Sequence, residues 1–166
     1  VLADQRYDDR MLFENAYDLL SGVWLGSYDA YALAKGIGYP MFLVLAKKLC
    51  LPYSVLLALL QAVGAWLFVR ALSVRWKNPY GQTLLYLLLL FSPISLTQLV
   101  TQRLYRMAIV PGMVLVVFSG MIGLTLRKEL PLKKQLPWAV LTGMALAFFW
   151  QIREDSVWIL PFIAVM

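Results

Sequence analysis

The sequence predicts an all-α protein, a polytopic transmembrane helix bundle with an outer-face N-terminal segment of short juxtamembrane helices. Three observations lead there. The chain is 61% hydrophobic and 14% charged, with a mean hydropathy of +0.72, far from the usual balance of soluble domains. Its apolar residues gather in runs near the length of about 20 residues that crosses a hydrocarbon core. The short segments between those runs alternate, one set rich in Lys and Arg and the other carrying mixed charge clusters, as positive-inside topology requires.

Residues 1–52 form the polar, outer-face part. In "RMLFENAYDLLSG" the apolar residues Leu12, Phe13, Ala16, Tyr17, Leu19 and Leu20 recur at helical spacing, and Gly22 supplies a C-terminal stop. "WLGSYDAYALAKGIGYP" reads as a loop. Pro40 then suits the first turn of a helix, "PMFLVLAKKLCL", which is too short to span and fits an interfacial position with Lys47 and Lys48 reaching headgroups. Residues 53–166 hold the spans, expected at about 53–72, 80–99, 107–126 and 136–151, with a truncated start at 156–166. The basic loop before the second span holds the turn pair Asn78-Pro79, and Ser92-Pro93 marks a kink within that span. Ser119/Gly123 and Gly143/Ala147 have the small-xxx-small spacing of close packing inside a bundle.

The loops set the orientation. Arg70, Arg75 and Lys77 share a side with Arg127, Lys128, Lys133 and Lys134, which makes that side cytoplasmic. Counting crossings puts three clusters on the other face: Asp8-Asp9-Arg10, Arg103 to Arg106, and Arg153-Glu154-Asp155. The first residue is Val and the last run, "SVWILPFIAVM", stops within apolar sequence, so the chain reads as a piece of a longer protein. The expected location is an integral, multi-pass position in a bacterial plasma membrane with the site on the outer face.

Composition also excludes. With no His and one Cys, the chain cannot build a His-based triad, a His-containing zinc site or an internal disulfide. Cys50 reads as a small apolar residue. The net charge of +6 is dispersed between apolar runs rather than concentrated in a basic patch, which argues against nucleic acid as a partner. Acid–base chemistry must come from Asp, Glu, Lys or Tyr. No cofactor is expected; a divalent metal would need carboxylate and water ligands, such as Asp8 and Asp9, and nothing indicates one.

Each cluster has a plain reading beside a functional one. Asp8 and Asp9 are neighbours and do not share a face, so at most one points into a site, while the other pairs with Arg6 or Arg10 or caps a helix. Both also suit a helix N-terminus as solvated acids. Arg103 and Arg106 flank Tyr105 at the mouth of a span, against the positive-inside bias. They form a phosphate clamp, or else anchor headgroups or pair with the acidic first segment. "WQIREDSVW" interrupts two apolar runs with three charges, as a site, an internal ion network or a simple outer loop. "KGIGYP" lacks the order of a phosphate-binding P-loop, although Lys35 could still face an anionic ligand.

The acidic "YDDR", the following "LLSGVWLGSYDAYALAKGIGYPMFLVLAKKL", and the later "QRLYR" and "REDSVWILPF" together resemble the polytopic C-type glycosyltransferases. That group contains protein O-mannosyltransferases and lipid A aminoarabinose transferases. The resemblance implies a sugar donor carried on a polyprenyl phosphate, a carboxylate base in the first outer loop, and transfer with inversion. By position it implies Asp8 or Asp9 as the base and Arg103, Arg106, Arg153 and Lys35 as donor-phosphate ligands. The lipid bilayer and the donor are then the expected partners, and the acceptor is open. Two other readings stand beside it: a transporter or flippase of a lipid-linked or anionic solute, and a membrane assembly subunit without activity. A transporter would carry ionisable residues at mid-span, where this sequence has almost none.

Overall fold

The computed structural model describes residues 8–24, 35–95, 106–153 and 156–164. Among the described residues every regular element is helical. In chain order these are α1 (Asp8–Leu20), α2 (Gly38–Lys48), α3 (Tyr53–Leu72), α4 (Pro79–Leu90), α5 (Val110–Thr125), α6 (Leu132–Ile152) and α7 (Leu160–Ala164), with 3-10 turns at Arg106–Ala108 and Ser156–Ile159.

Local chemistry sets the boundaries. Gly22 takes φ +82 after α1, and Val23 N–H donates to the Asp18 carbonyl at 2.9 Å, closing the helix in a left-handed C-terminal turn. Cys50 ends α2 the same way with φ 53, and Leu51 N–H reaches the Ala46 carbonyl at 3.0 Å. Cys50 is exposed, and its backbone conformation, rather than apolar burial, is what distinguishes it. Asn78 caps α4 by accepting from the Tyr80 and Gly81 amides at 3.1 and 3.4 Å, with Pro79 in the first turn.

Two expected spans have other limits. Helix α4 ends at Leu90, just before the expected kink at Ser92-Pro93, because the residue before a proline is biased away from helical geometry. Its 12 residues cover about 18 Å, and residues 96–105 lie outside the described ones. Gln61 of α3 satisfies one freed carbonyl of α4, donating from Nε2 to Leu89 O at 2.7 Å. Helix α6 begins at Leu132, a turn earlier than its apolar run, so that Lys133, Lys134 and Gln135 are helical too.

Helix α5 lies between α3 and α6. It runs parallel to α3, with a Cβ on Gly64 meeting the Gly112 carbonyl at 2.9 Å, and antiparallel to α6, with a Cβ on Gly120 meeting Thr142 Oγ1 at 2.7 Å. Gly123 sits against the Trp138 ring. Ser119 and Gly123 therefore serve intramolecular packing, as their spacing predicts. Gly143 does not: among the described residues nothing beyond its own helix lies within 4 Å of the position its Cβ would take, and Ala147 is exposed beside it.

The basic loops meet at one end of the bundle. Arg127, following α5, turns inward and is 7% exposed. It donates to the carbonyls of Arg70 and Ala71 at 3.0 and 3.1 Å and to Gly123 at 3.1 Å. Burial, and then the neighbouring charge of Arg70, lowers its guanidinium from the ordinary value.

Two stretches, Tyr53–Leu72 and Arg106–Thr125, are long and apolar enough to cross a membrane. The first is only 28% buried within the fold, against 56% for the second. Val55, Leu59, Val63 and Trp66 of α3, Leu84 and Leu88 of α4, and Leu136, Val140 and Met144 of α6 all point outward, exposed.

Candidate functional site

The other end of the bundle carries α1, α2 and most of the predicted site residues. One buried cluster ties it together: Leu12 of α1, Tyr39 and Phe42 of α2, Ile109 ahead of α5, Phe149 and Ile152 of α6, and Ile159. The Tyr39 and Tyr53 hydroxyls are hydrogen-bonded at 3.0 Å, joining α2 to the first turn of α3.

Asp8 and Asp9 are the first two residues of α1, where the helix dipole favours carboxylates. Position 8 stands one turn before Leu12, which is 1% exposed, and position 9 one turn before Phe13, which is 48% exposed. Arg10 turns to its own helix, Nε donating to Glu14 Oε1 at 2.9 Å. That pair is exposed and contributes little to stability.

The segments that carry Lys35 and Arg153 meet through their neighbours. A Cβ on Gly36 would collide with the Gln151 carbonyl oxygen, and one on Gly38 would lie 2.9 Å from the Gln151 carbonyl carbon. The "KGIG" segment therefore presses on the last turn of α6, and its glycines serve close approach of two backbones. Arg153 caps α6 with extended backbone, φ −135 and ψ 122, and its amide donates to Phe149 O at 3.2 Å. Its carbonyl accepts from the buried Ser156 hydroxyl at 2.7 Å. The Lys35 and Arg153 side chains are both half-buried.

Arg106 opens the 3-10 turn that leads into α5, three residues before the fully buried Ile109, and is half-buried. Arg103, Glu154 and Asp155 lie outside the described residues. Near Arg106 is a feature the sequence does not announce: a cavity of about 280 Å³ where α4 stops short of the length of α3. Ser54, Leu57, Gln61, Phe91, Ala108 and Gly112 line it. Its walls are mostly apolar, and Ala108 is two residues from Arg106. The signal in the sequence was Ser92-Pro93, which ends α4. Among the described residues no three His, Cys, Asp or Glu side chains converge as a metal site needs.

No protein-family model, no curated protein and no solved structure matches the chain. The chemistry is therefore argued from this site alone. The half-buried Lys35, Arg106 and Arg153 can bind anionic groups, and carboxylates at a helix start can accept a proton.

Proposed function

We propose that the chain belongs to a multi-pass bacterial membrane glycosyltransferase of the C type. In this reading it moves a sugar from a polyprenyl-phosphate donor to an acceptor on the non-cytoplasmic face. The observation that carries this is the sharing of one bundle end by the α1 N-terminus, the Lys35–Arg153 neighbourhood and Arg106, with the basic loops at the opposite end. The outward apolar faces of α3, α4 and α6 support a lipid setting.

The chemistry is a single displacement. A carboxylate, Asp8 or Asp9, takes the proton of the acceptor hydroxyl as its oxygen bonds to the anomeric carbon. The bond from that carbon to the donor phosphate oxygen breaks, and the electron pair leaves with the phosphate. Attack opposite the leaving group inverts the centre. Arg103, Arg106, Arg153 and Lys35 are the cations available to hold the departing phosphate, the guanidiniums by bidentate geometry.

The test is transfer by the purified full-length protein from radiolabelled polyprenyl-phosphate sugars, with Asp8→Asn and Asp9→Asn beside it. Transfer abolished by one substitution in a folded protein supports the reading. Undiminished transfer in both variants removes the base assignment. Solute uptake in proteoliposomes without transfer from any donor would favour a transporter.

A further inference from the structure

Helices α3 and α4 form an antiparallel hairpin, and at the basic end of the bundle a cleft of about 340 Å³ opens between them. Trp66, Arg70 and Ser73 line one wall and Pro79, Thr83 and Tyr86 the other. Both sets follow the i, i+4, i+7 spacing of a single helix face. The lining is graded along the hairpin. Trp66 and Tyr86 lie toward the middle of the bundle, and Arg70, Ser73 and Thr83 toward the connecting turn.

Charge selects the ligand. Arg70 is exposed, and among the described residues no carboxylate forms an ion pair with it. Arg75, Lys77, Arg127 and Lys128 stand at the same end, and segments 73–78 and 126–135 hold one acid, Glu129. The Arg70 charge also opposes that of the buried Arg127. The Ser73 and Thr83 hydroxyls donate to the Arg70 and Pro79 carbonyls at 2.9 and 3.0 Å, so their hydrogens are already used. The Arg70 guanidinium is the cation of the cleft, and its planar fork matches a phosphate.

Depth and the walls below Arg70 select a lipid over a soluble anion. The rise from Tyr53 to Arg70 is about 26 Å, close to the ~30 Å of a hydrocarbon core. A spanning α3 therefore puts Arg70 at the far headgroup boundary. Beyond Trp66 the same face of α3 continues with the exposed Val63 and Leu59, and Leu87 continues that of α4. An acyl chain has an apolar track there, whereas a free phosphate would leave it bare. Basic pockets between spans on the cytoplasmic side recognise anionic headgroups in this way.

We propose that the α3–α4 cleft binds an anionic phospholipid of the cytoplasmic leaflet, its phosphate on the Arg70 guanidinium and an acyl chain along Trp66 and Tyr86. This rests on the reading of α3 as a membrane span and not on sugar transfer. The bound phosphate offsets the repulsion between Arg70 and Arg127 and braces the short α4 against α3.

Native mass spectrometry of the full chain in detergent micelles counts bound lipid as phosphatidylglycerol or phosphatidylcholine is added. The first phosphatidylglycerol should bind several-fold more tightly than the first phosphatidylcholine. Arg70→Gln should bring the two level, while leaving in place the carbonyl that Arg127 uses. Thr83→Phe, which fills the cleft from α4 with Arg70 intact, should weaken phosphatidylglycerol as much. Arg75 is an exposed cation that does not line the cleft, and Arg75→Gln should keep the preference. Equal affinity for the two lipids in the parent, or no binding of either, overturns the proposal. So does an equal loss in Arg75→Gln, which would mean a diffuse basic belt. Displacement of phosphatidylglycerol by millimolar inorganic phosphate would make this a soluble-anion site and overturns the lipid assignment.

Discussion

The Arg127 guanidinium stacks over the Trp138 ring, 4.3 Å from its centre, while its nitrogens bond the last carbonyls of two helices. One side chain thus ties the ends of α3 and α5 to the start of α6. The carbonyls of Arg70 and Ala71 are orphan acceptors at the end of α3, and a cation there also complements the helix dipole. Arg127→Ala should lower stability by about 2–4 kcal/mol, combining lost charge-assisted bonds with a lost cation–π contact. Arg127→Lys should recover only part, because an ammonium cannot fork to several carbonyls and stack at once. Thermal unfolding in detergent would measure both. If Arg127→Ala melted like the parent, the tie would be incidental.

The two acids at the start of α1 should not be equivalent. Position 8 shares its side of the helix with the buried Leu12, and position 9 with the exposed Phe13. If a carboxylate here is the base, Asp8→Asn should reduce sugar transfer by about 10²–10⁴-fold, the range of general-base catalysis. Asp9→Asn should cost far less. The turnover of both folded variants decides this, and the reverse ranking would give Asp9 the role.

Much of this was legible in the sequence, and what was not has a common cause. Composition and periodicity point to the helices, and Gly22 and Pro40 mark two of their ends, because each acts on its own backbone. Ser92-Pro93 marks where α4 ends, and the residues of the expected span beyond position 95 lie outside the described ones. In the sequence Arg127 looks like one more loop charge beside Lys128, yet its side chain turns into the fold. Only the carbonyls of α3, 56 and 57 residues away in sequence, explain that. The order of "KGIG" rules out a phosphate loop, but nothing local to Gly36 and Gly38 points to their partner, the end of α6, which is equally remote. Local signals name elements, whereas site geometry depends on which distant backbones come close.

Cys50 carries strain that a single change should relieve. Its φ of 53 is the left-handed geometry that glycine adopts without a Cβ clash, and the side chain is exposed. Cys50→Gly should therefore stabilise the α2–α3 junction by up to about 1 kcal/mol, while Cys50→Val should destabilise it. Paired melting curves against the parent provide the measurement. Destabilisation by glycine would mean that lost side-chain contacts or greater chain entropy outweigh the relief.

Two glycines offer opposite outcomes for one chemical change. Gly38 is buried against α6, where a Cβ would stand 2.9 Å from both the Gln151 carbonyl carbon and Ile152 Cγ1. Backbone cannot yield as a flexible side chain does, so Gly38→Ala should cost about 1–3 kcal/mol through overpacking. The forced shift would move the "KGIG" segment off the end of α6 and, if Lys35 and Arg153 hold the donor phosphate, raise the KM for donor more than it lowers kcat. Gly143 lies within α6 with open space around its Cβ position. Gly143→Ala should be neutral or stabilising by up to about 1 kcal/mol through helix propensity alone. Melting and donor titration of the two variants side by side separate packing from propensity. Should Gly38→Ala melt with the parent and keep its donor KM, the contact between the "KGIG" segment and α6 does not hold the site together.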